Sequence, residues 1–203
     1  MPARSLLTLC SALTLLALTS GCSDSSSGSS PSLAPLPDRT ETTFIEGRYV
    51  ARGAEEQYIE DTHTGLVWKR CVEGQTWDQG GQICVGRAAS LTLDQAGGDE
   101  IINEQITGFM LPSRDQLLSL VACPGEALTA ESIGRGVCQN PPSNSNPTLA
   151  TAVFPDTPAL THWTTTCMSS ACTTYYGVNF GDGSLSEYNA PSSRYAVRRV
   201  RAL

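Results

Sequence analysis

Ser113-Arg-Asp-Gln-Leu-Leu-Ser-Leu-Val-Ala-Cys123 carries the clearest helical signal in the 203-residue chain. Ser113 and Gln116 stand three apart, as in a capping box, directly after Pro112. Leu117, Leu118, Leu120 and Val121 then recur at helical spacing, so a helix over 113–123 is expected to lay one apolar face on a sheet. A second helical stretch, 91–106, is weaker because Gly97-Gly98 interrupts it at a cost of about 1 kcal/mol per glycine. Strand-like runs flank the helix on both sides. Before it come Phe44-Ile-Glu-Gly-Arg-Tyr-Val-Ala51, Gln57-Tyr-Ile-Glu-Asp61 and Leu66-Val-Trp-Lys-Arg70, the last two joined by a Thr64-Gly65 turn. Trp68 on the last of these is expected to pack in the core. After a long polar stretch from Cys123 to Phe154 come His162–Thr166, Thr174–Phe180 and Ser184–Tyr188, with Gly181-Asp182-Gly183 as a hairpin turn. The closing run from Arg194 to Arg201 alternates, with Tyr195, Val197 and Arg199 on one face and Ala196, Arg198 and Val200 on the other. Strands, then helices, then strands predict an α+β fold whose two ends meet in one sheet.

The first 21 residues begin with the cation Arg4, run apolar from Leu6 to Leu18 and end in small residues, which is the pattern of a secretory signal and too short for a durable membrane span. Leu18-Thr-Ser-Gly-Cys22 resembles a bacterial lipobox, so Cys22 is expected to be acylated, with palmitate among its chains, and to become the mature N-terminus. Ser23 at the next position points to the outer membrane, on its periplasmic or cell-surface face. Residues 22–43 are Ser- and Pro-rich with few large apolar groups and are expected to form a tether, leaving 44–203 as a single domain.

Six cysteines remain in that domain, Cys71, Cys84, Cys123, Cys138, Cys167 and Cys172. In an oxidising compartment an even count reads as three disulfides. The spacing does not choose among the fifteen pairings. Pairing of neighbours is the expectation, because each pair brackets a polar, loop-like stretch, and each closure is worth on the order of 2–3 kcal/mol. A metal held by Cys167 and Cys172 would need further ligands, and the chain's only histidines, His63 and His162, stand at no finger-like spacing. No metal or cofactor is expected. Removing the signal takes away one cation and makes the mature charge one unit more negative than the −7 of the whole chain. Such a chain is not built to bind nucleic acid.

In order, Asp61–Arg70, the Gln75-Thr-Trp77 region with its following Cys84-Val-Gly, Gly108–Val121, Phe154–Thr166, Tyr175–Ser184 and Tyr195–Arg201 resemble the Lcl C-terminal domain family, the C-terminal domain of collagen-like adhesins, formerly a domain of unknown function. The likeness runs from about Gly47 to Arg201. The family is similar to C-type-lectin-like modules, which implies short antiparallel sheets, two helices and long disulfide-closed loops. It also implies adhesion to glycans or matrix proteins. Phe109-Met110 stand where the family has Trp-Arg, and Arg199 stands at a position that is commonly cysteine. None of the calcium-dependent sugar-binding triplets of true C-type lectins is present.

No nucleophile with a base, carboxylate pair or phosphate loop marks an enzyme, and His63 and His162 lack partners that would make a triad. Asp182 is explained by its turn. For binding, Trp163, Tyr175, Tyr176, Tyr188 and Asn189 are the candidate stacking and hydrogen-bonding residues at the loop-bearing end. Arg198 and Arg199, with Arg194 and Arg201, form the one basic cluster. The expected protein is a non-enzymatic lipoprotein that binds a glycan or a matrix or envelope protein. The competing expectation is a structural envelope component packed against another envelope protein.

Overall fold

The computed structural model describes residues 33–97, 108–139, 147–168, 170–189 and 192–203. Among the described residues ten strands are arranged as a five-stranded sheet, a separate hairpin and a three-stranded sheet. The first four are β1 (Arg39–Phe44), β2 (Tyr49–Arg52), β3 (Tyr58–Asp61) and β4 (Leu66–Lys69). With β10 (Val200–Ala202) they form one antiparallel sheet in the order β1-β2-β3-β4-β10. β5 (Gln75–Asp78) and β6 (Ile83–Gly86) make the hairpin, and β7 (Thr161–Cys167), β8 (Thr174–Asn179) and β9 (Ser184–Asn189) make the second sheet. Two short helices complete the described fold: α1, which is helical over 93–97 at the edge of the described residues, and α2 (Arg114–Leu118). The α+β class and the meeting of the early and late strands in one sheet are as expected. β1 and β10 occupy opposite edges of that sheet.

The capping box forms as the sequence requires. Gln116 N–H donates to Ser113 Oγ and the Gln116 side chain accepts from Ser113 N–H. The helix is shorter than the apolar spacing predicts, because its carbonyls are taken by other partners. Arg48 Nη2 donates to Ser119 O at 3.0 Å, Gly134 N–H donates to Val121 O at 2.7 Å, and the backbone tightens to i→i+3 bonds at Leu120 and Val121. Of the expected second helix, 98–106 lies outside the described residues.

Two strand expectations are corrected. Phe44–Ala51 is not one strand, because Ile45, Glu46 and Gly47 all have positive φ and turn the chain between β1 and β2. β1 starts at Arg39, inside the segment read as tether, since its alternating Thr side chains complete the edge of the sheet. The other hairpins form where expected. Gly65 N–H bonds to Asp61 O at 2.9 Å, and Asp182 accepts from Ser184 N–H at 2.9 Å beside the Gly183 N–H bond to Asn179 O.

The main core lies between the inner face of the five-stranded sheet and the rest of the domain. Tyr49, Ile59 and Trp68 meet Leu117 and Leu120 of α2, Val153 and Phe154 of the preceding loop, and Val178 and Phe180 of the second sheet, all buried. Each such aliphatic or aromatic side chain contributes roughly 1.5–3 kcal/mol by leaving water. The closing run does not alternate between water and core. Residues 196–200 are all buried, because this segment is the seam between the two sheets. Tyr195 exchanges hydrogen bonds with Leu91, Ala196 bridges β7, Val200 exchanges bonds with Met110, and β10 then joins β4.

The cysteines pair as neighbours, Cys71–Cys84, Cys123–Cys138 and Cys167–Cys172. The first pair is buried and pins β6 to the end of β4, whereas Cys172 is exposed at a loop tip. Loop-closure entropy for a separation of 13 residues is worth about 3 kcal/mol. Removing it with Cys71→Ser/Cys84→Ser is expected to lower thermal stability by about that amount. Cys167→Ser/Cys172→Ser closes a separation of only 5 and is expected to loosen its own tip and leave the fold in place. Equal loss of melting temperature in the two variants contradicts this.

Candidate functional site

The sequence-predicted binding residues do not form an exposed surface together. Trp163 is fully buried, donates its indole N–H to Leu91 O at 2.8 Å and packs edge-on against Tyr195 with ring centroids 4.8 Å apart. Tyr188 packs on the same Tyr195 ring at 4.4 Å and shares a hydrogen bond with Thr161, while Tyr175, its cross-strand partner, lies against the same cluster. Tyr176 points to the other face, under the Arg114 guanidinium at 5.4 Å. Asn189 ends β9 opposite Thr174. Three of the predicted aromatics are therefore a second small core, together with Leu111 and Val197.

The arginine expectation is corrected more sharply. Arg198 is fully buried and Arg199 is 3% exposed, so neither presents charge to a ligand. Arg198 donates to Lys69 O, Arg70 O and Thr157 Oγ1 at 2.8, 2.6 and 2.5 Å and lies 4.7 Å from the Phe154 ring. Burial pulls its guanidinium down to about 9, which still leaves it protonated at neutral pH. Arg199 pairs with Glu73 at 3.0 Å and donates to Ala96 O. Burial works against ionisation of the Glu73 carboxyl, but Lys69 and Arg199 outweigh it and hold it below the usual range. His162 is likewise a core residue. Its Nδ1–H donates to Leu160 O at 2.9 Å, which leaves Nε2 as the acceptor nitrogen against the Phe180 ring. Burial, with the Arg198 charge adding to it, pulls this imidazole down to about 3 and keeps it neutral.

A cavity lies on the outer side of the second core. It is a groove of about 910 Å³ bounded by 86–90 after β6, by 158–161 at the start of β7 and by 194–196. Its first wall is placed by close backbone packing. Ala89 N–H bonds to Glu73 O at 2.7 Å, and a Cβ on Gly74 would stand 2.6 Å from Ala89 N and Arg87 O. Gly74 and Gly86 have φ of +87° and +106°, so glycine meets both the close approach and the turn. The second wall carries Leu160, 57% exposed, held by Phe180 N–H on its carbonyl. The third is Tyr195, backed by Trp163 and Tyr188. The predicted aromatics thus support the groove from behind instead of lining it.

Two exposed guanidiniums, Arg87 and Arg194, stand on this groove. Arg194 donates to Gln95 Oε1 at 2.8 Å and weakly to Ser90 O, both neutral acceptors. Seven other arginines among the described residues lie within 4 Å of a carboxylate, and these two do not. Gln75 adds a buried carbonyl oxygen without a hydrogen-bond partner among the described residues. The groove therefore combines apolar walls with two exposed guanidiniums that have no carboxylate partner among the described residues, the chemistry of a binding cleft. Sequence reasoning named Arg194 only as part of a cluster and missed Arg87 and Ser90, which sit in no motif, and Leu160, which stands inside the Phe154–Thr166 stretch without being singled out. The one sequence signal was Leu160, a large apolar residue just outside a strand.

Among the described residues no group of three His, Cys, Asp or Glu side chains is placed to hold a metal, and no helix is long and apolar enough to cross a membrane. No curated protein matches the chain, and neither does any solved structure. The family model for the Lcl C-terminal domain matches residues 57–201.

Proposed function

The chain belongs to the Lcl C-terminal domain family, and from that premise we propose that it is a non-enzymatic, lipid-anchored envelope protein whose domain binds a glycan or protein ligand in the groove between 86–90, 158–161 and 194–196. The carrying observation is the pair of exposed arginines, Arg87 and Arg194, on this groove, without carboxylate partners among the described residues of an acidic protein. A ligand bearing hydroxyl or acidic groups satisfies them, while Leu160 and Tyr195 take its apolar face, as sugar rings and peptide side chains both allow. The adhesin-like role and the lectin-like character of the loops come from the family resemblance. The anchor at Cys22 and an outer-membrane location come from the N-terminal sequence.

The acylated, detergent-solubilised protein is to be screened on glycan and matrix-protein arrays at two salt concentrations. Saturable binding is expected, weakening but persisting at high salt. A hydrogen bond to a charged group is worth about 1.5–3 kcal/mol, so Arg87→Ala/Arg194→Ala is expected to weaken binding by at least about tenfold at unchanged melting temperature. Full binding by the double variant removes the groove from this role. Binding to nothing on the arrays, with a stable envelope complex recovered instead, replaces it by structural packing.

A further inference from the structure

The segment that leads out of the fold toward the proposed anchor does not leave freely. Arg201 on β10 donates to Ala34 O at 2.6 Å, Arg52 on β2 donates to Pro37 O at 2.6 Å, and Gly53 N–H donates to Asp38 O at 3.0 Å. Residues 33–38 therefore cross the sheet from its β10 edge to β1. This is a second reason why the tether is shorter than the Ser/Pro composition predicts. The chain reaches the β10 edge at Leu33, whose Cδ1 would lie 3.1 Å from a Cβ on Gly108, as would Arg201 Nε.

Three exposed apolar side chains stand at that edge. Leu33 is 46% exposed, Met110 43% and Leu203 61%. Met110 exchanges both backbone hydrogen bonds with Val200, and Leu203 follows β10 directly, so these residues lie along this edge. Between Cys22 and Leu33 stand only residues 23–32. Ten residues span at most about 35 Å fully extended, and about 18 Å as a flexible coil. An anchor at Cys22 thus keeps this edge within a few nanometres of the lipid.

We propose that the β10 edge rests on the bilayer surface, with Leu33, Met110 and Leu203 at the headgroup boundary. The inference rests on the anchored reading above. Apolar side chains held beside a lipid surface leave water by entering its interface, and the strap at 33–38 makes this orientation a property of the fold instead of the tether. It gives the three exposed apolar side chains nearest the start of the tether a partner.

The test uses the full acylated chain in phosphatidylethanolamine–phosphatidylglycerol vesicles that contain lipid brominated near the headgroup. A bimane label is placed at Leu203→Cys or Met110→Cys, with Val85→Cys, also exposed but on the β5–β6 hairpin, as the control. Quenching at 203 and 110 is expected to exceed that at 85 by several fold. Vesicle-bound protein with equal quenching at all three positions overturns the orientation and leaves the anchor standing. Acylated protein that stays in solution overturns the anchor and this inference with it.

Discussion

Replacing Arg48 by methionine is expected to destabilise the domain by about 3–5 kcal/mol, enough to unfold much of it at 37 °C. Arg48 is 3% exposed and donates from Nε and Nη2 to both oxygens of Asp61, which is fully buried. The same guanidinium donates to Ala130 O, Ile133 O and Ser119 O. It is the joint at which the first sheet, the end of α2 and the 130–134 loop are held together. Burial alone lowers the affinity of this group for its proton, but Asp61, together with Tyr49 and Glu131, outweighs that and raises it. Methionine fills the volume but leaves the Asp61 carboxylate with only the His63 N–H as donor and takes the Arg48 donor from the Ala130, Ile133 and Ser119 carbonyls, and it is the stranded carboxylate that costs most. Arg48→Met/Asp61→Leu is therefore expected to be more stable than Arg48→Met alone. Urea unfolding measures both. A loss below about 1 kcal/mol in the single variant contradicts the assignment, as does a double variant that is worse.

Trp163→Ala is expected to cost about 3–5 kcal/mol, which lowers the melting temperature by roughly 10 °C in a domain of this size. The indole is fully buried between Leu91, Tyr195 and Leu111 in a cluster too small to close over the vacancy. The loss also removes the donor on Leu91 O and the support behind Tyr195 in the groove. A stacking residue on the surface behaves oppositely, losing ligand affinity with no change in melting. A Trp163→Ala protein that melts like the wild type and fails to bind therefore returns Trp163 to the ligand surface and removes the second core.

The two misplaced expectations share one cause. Trp163, Arg198 and Arg199 stand in segments whose alternation reads as a half-exposed strand, and alternation reports burial only where one face meets water. Here the Tyr195–Val200 run is sandwiched between Leu91, β7, Met110 and β4. Both faces are covered, and the arginines are accommodated by carbonyls and Glu73 that lie more than a hundred residues away. Arg87 and Leu160 were missed for the converse reason. Their placement follows from where the 86–90 loop lands on Glu73 and Gly74 and where Phe180 N–H holds Leu160 O, contacts that no local pattern encodes.

What the sequence determined by itself is the set of features closed by neighbours. The start of α2 at Ser113 needs only Gln116, and the hairpins at Gly65 and Gly183 need only their own turns, whereas the sequence offered fifteen pairings of its six domain cysteines and the fold selected the neighbours, 5 to 15 residues apart. The family is legible for the same reason, as an ordered set of short motifs. Only the tertiary structure decided where α2 stops, that the strand order begins at Arg39, which arginines are buried and where the groove lies. Those outcomes depend on which distant carbonyl or carboxylate reaches a group first, and burial of a charge or an indole is settled by the neighbours the whole fold brings to it.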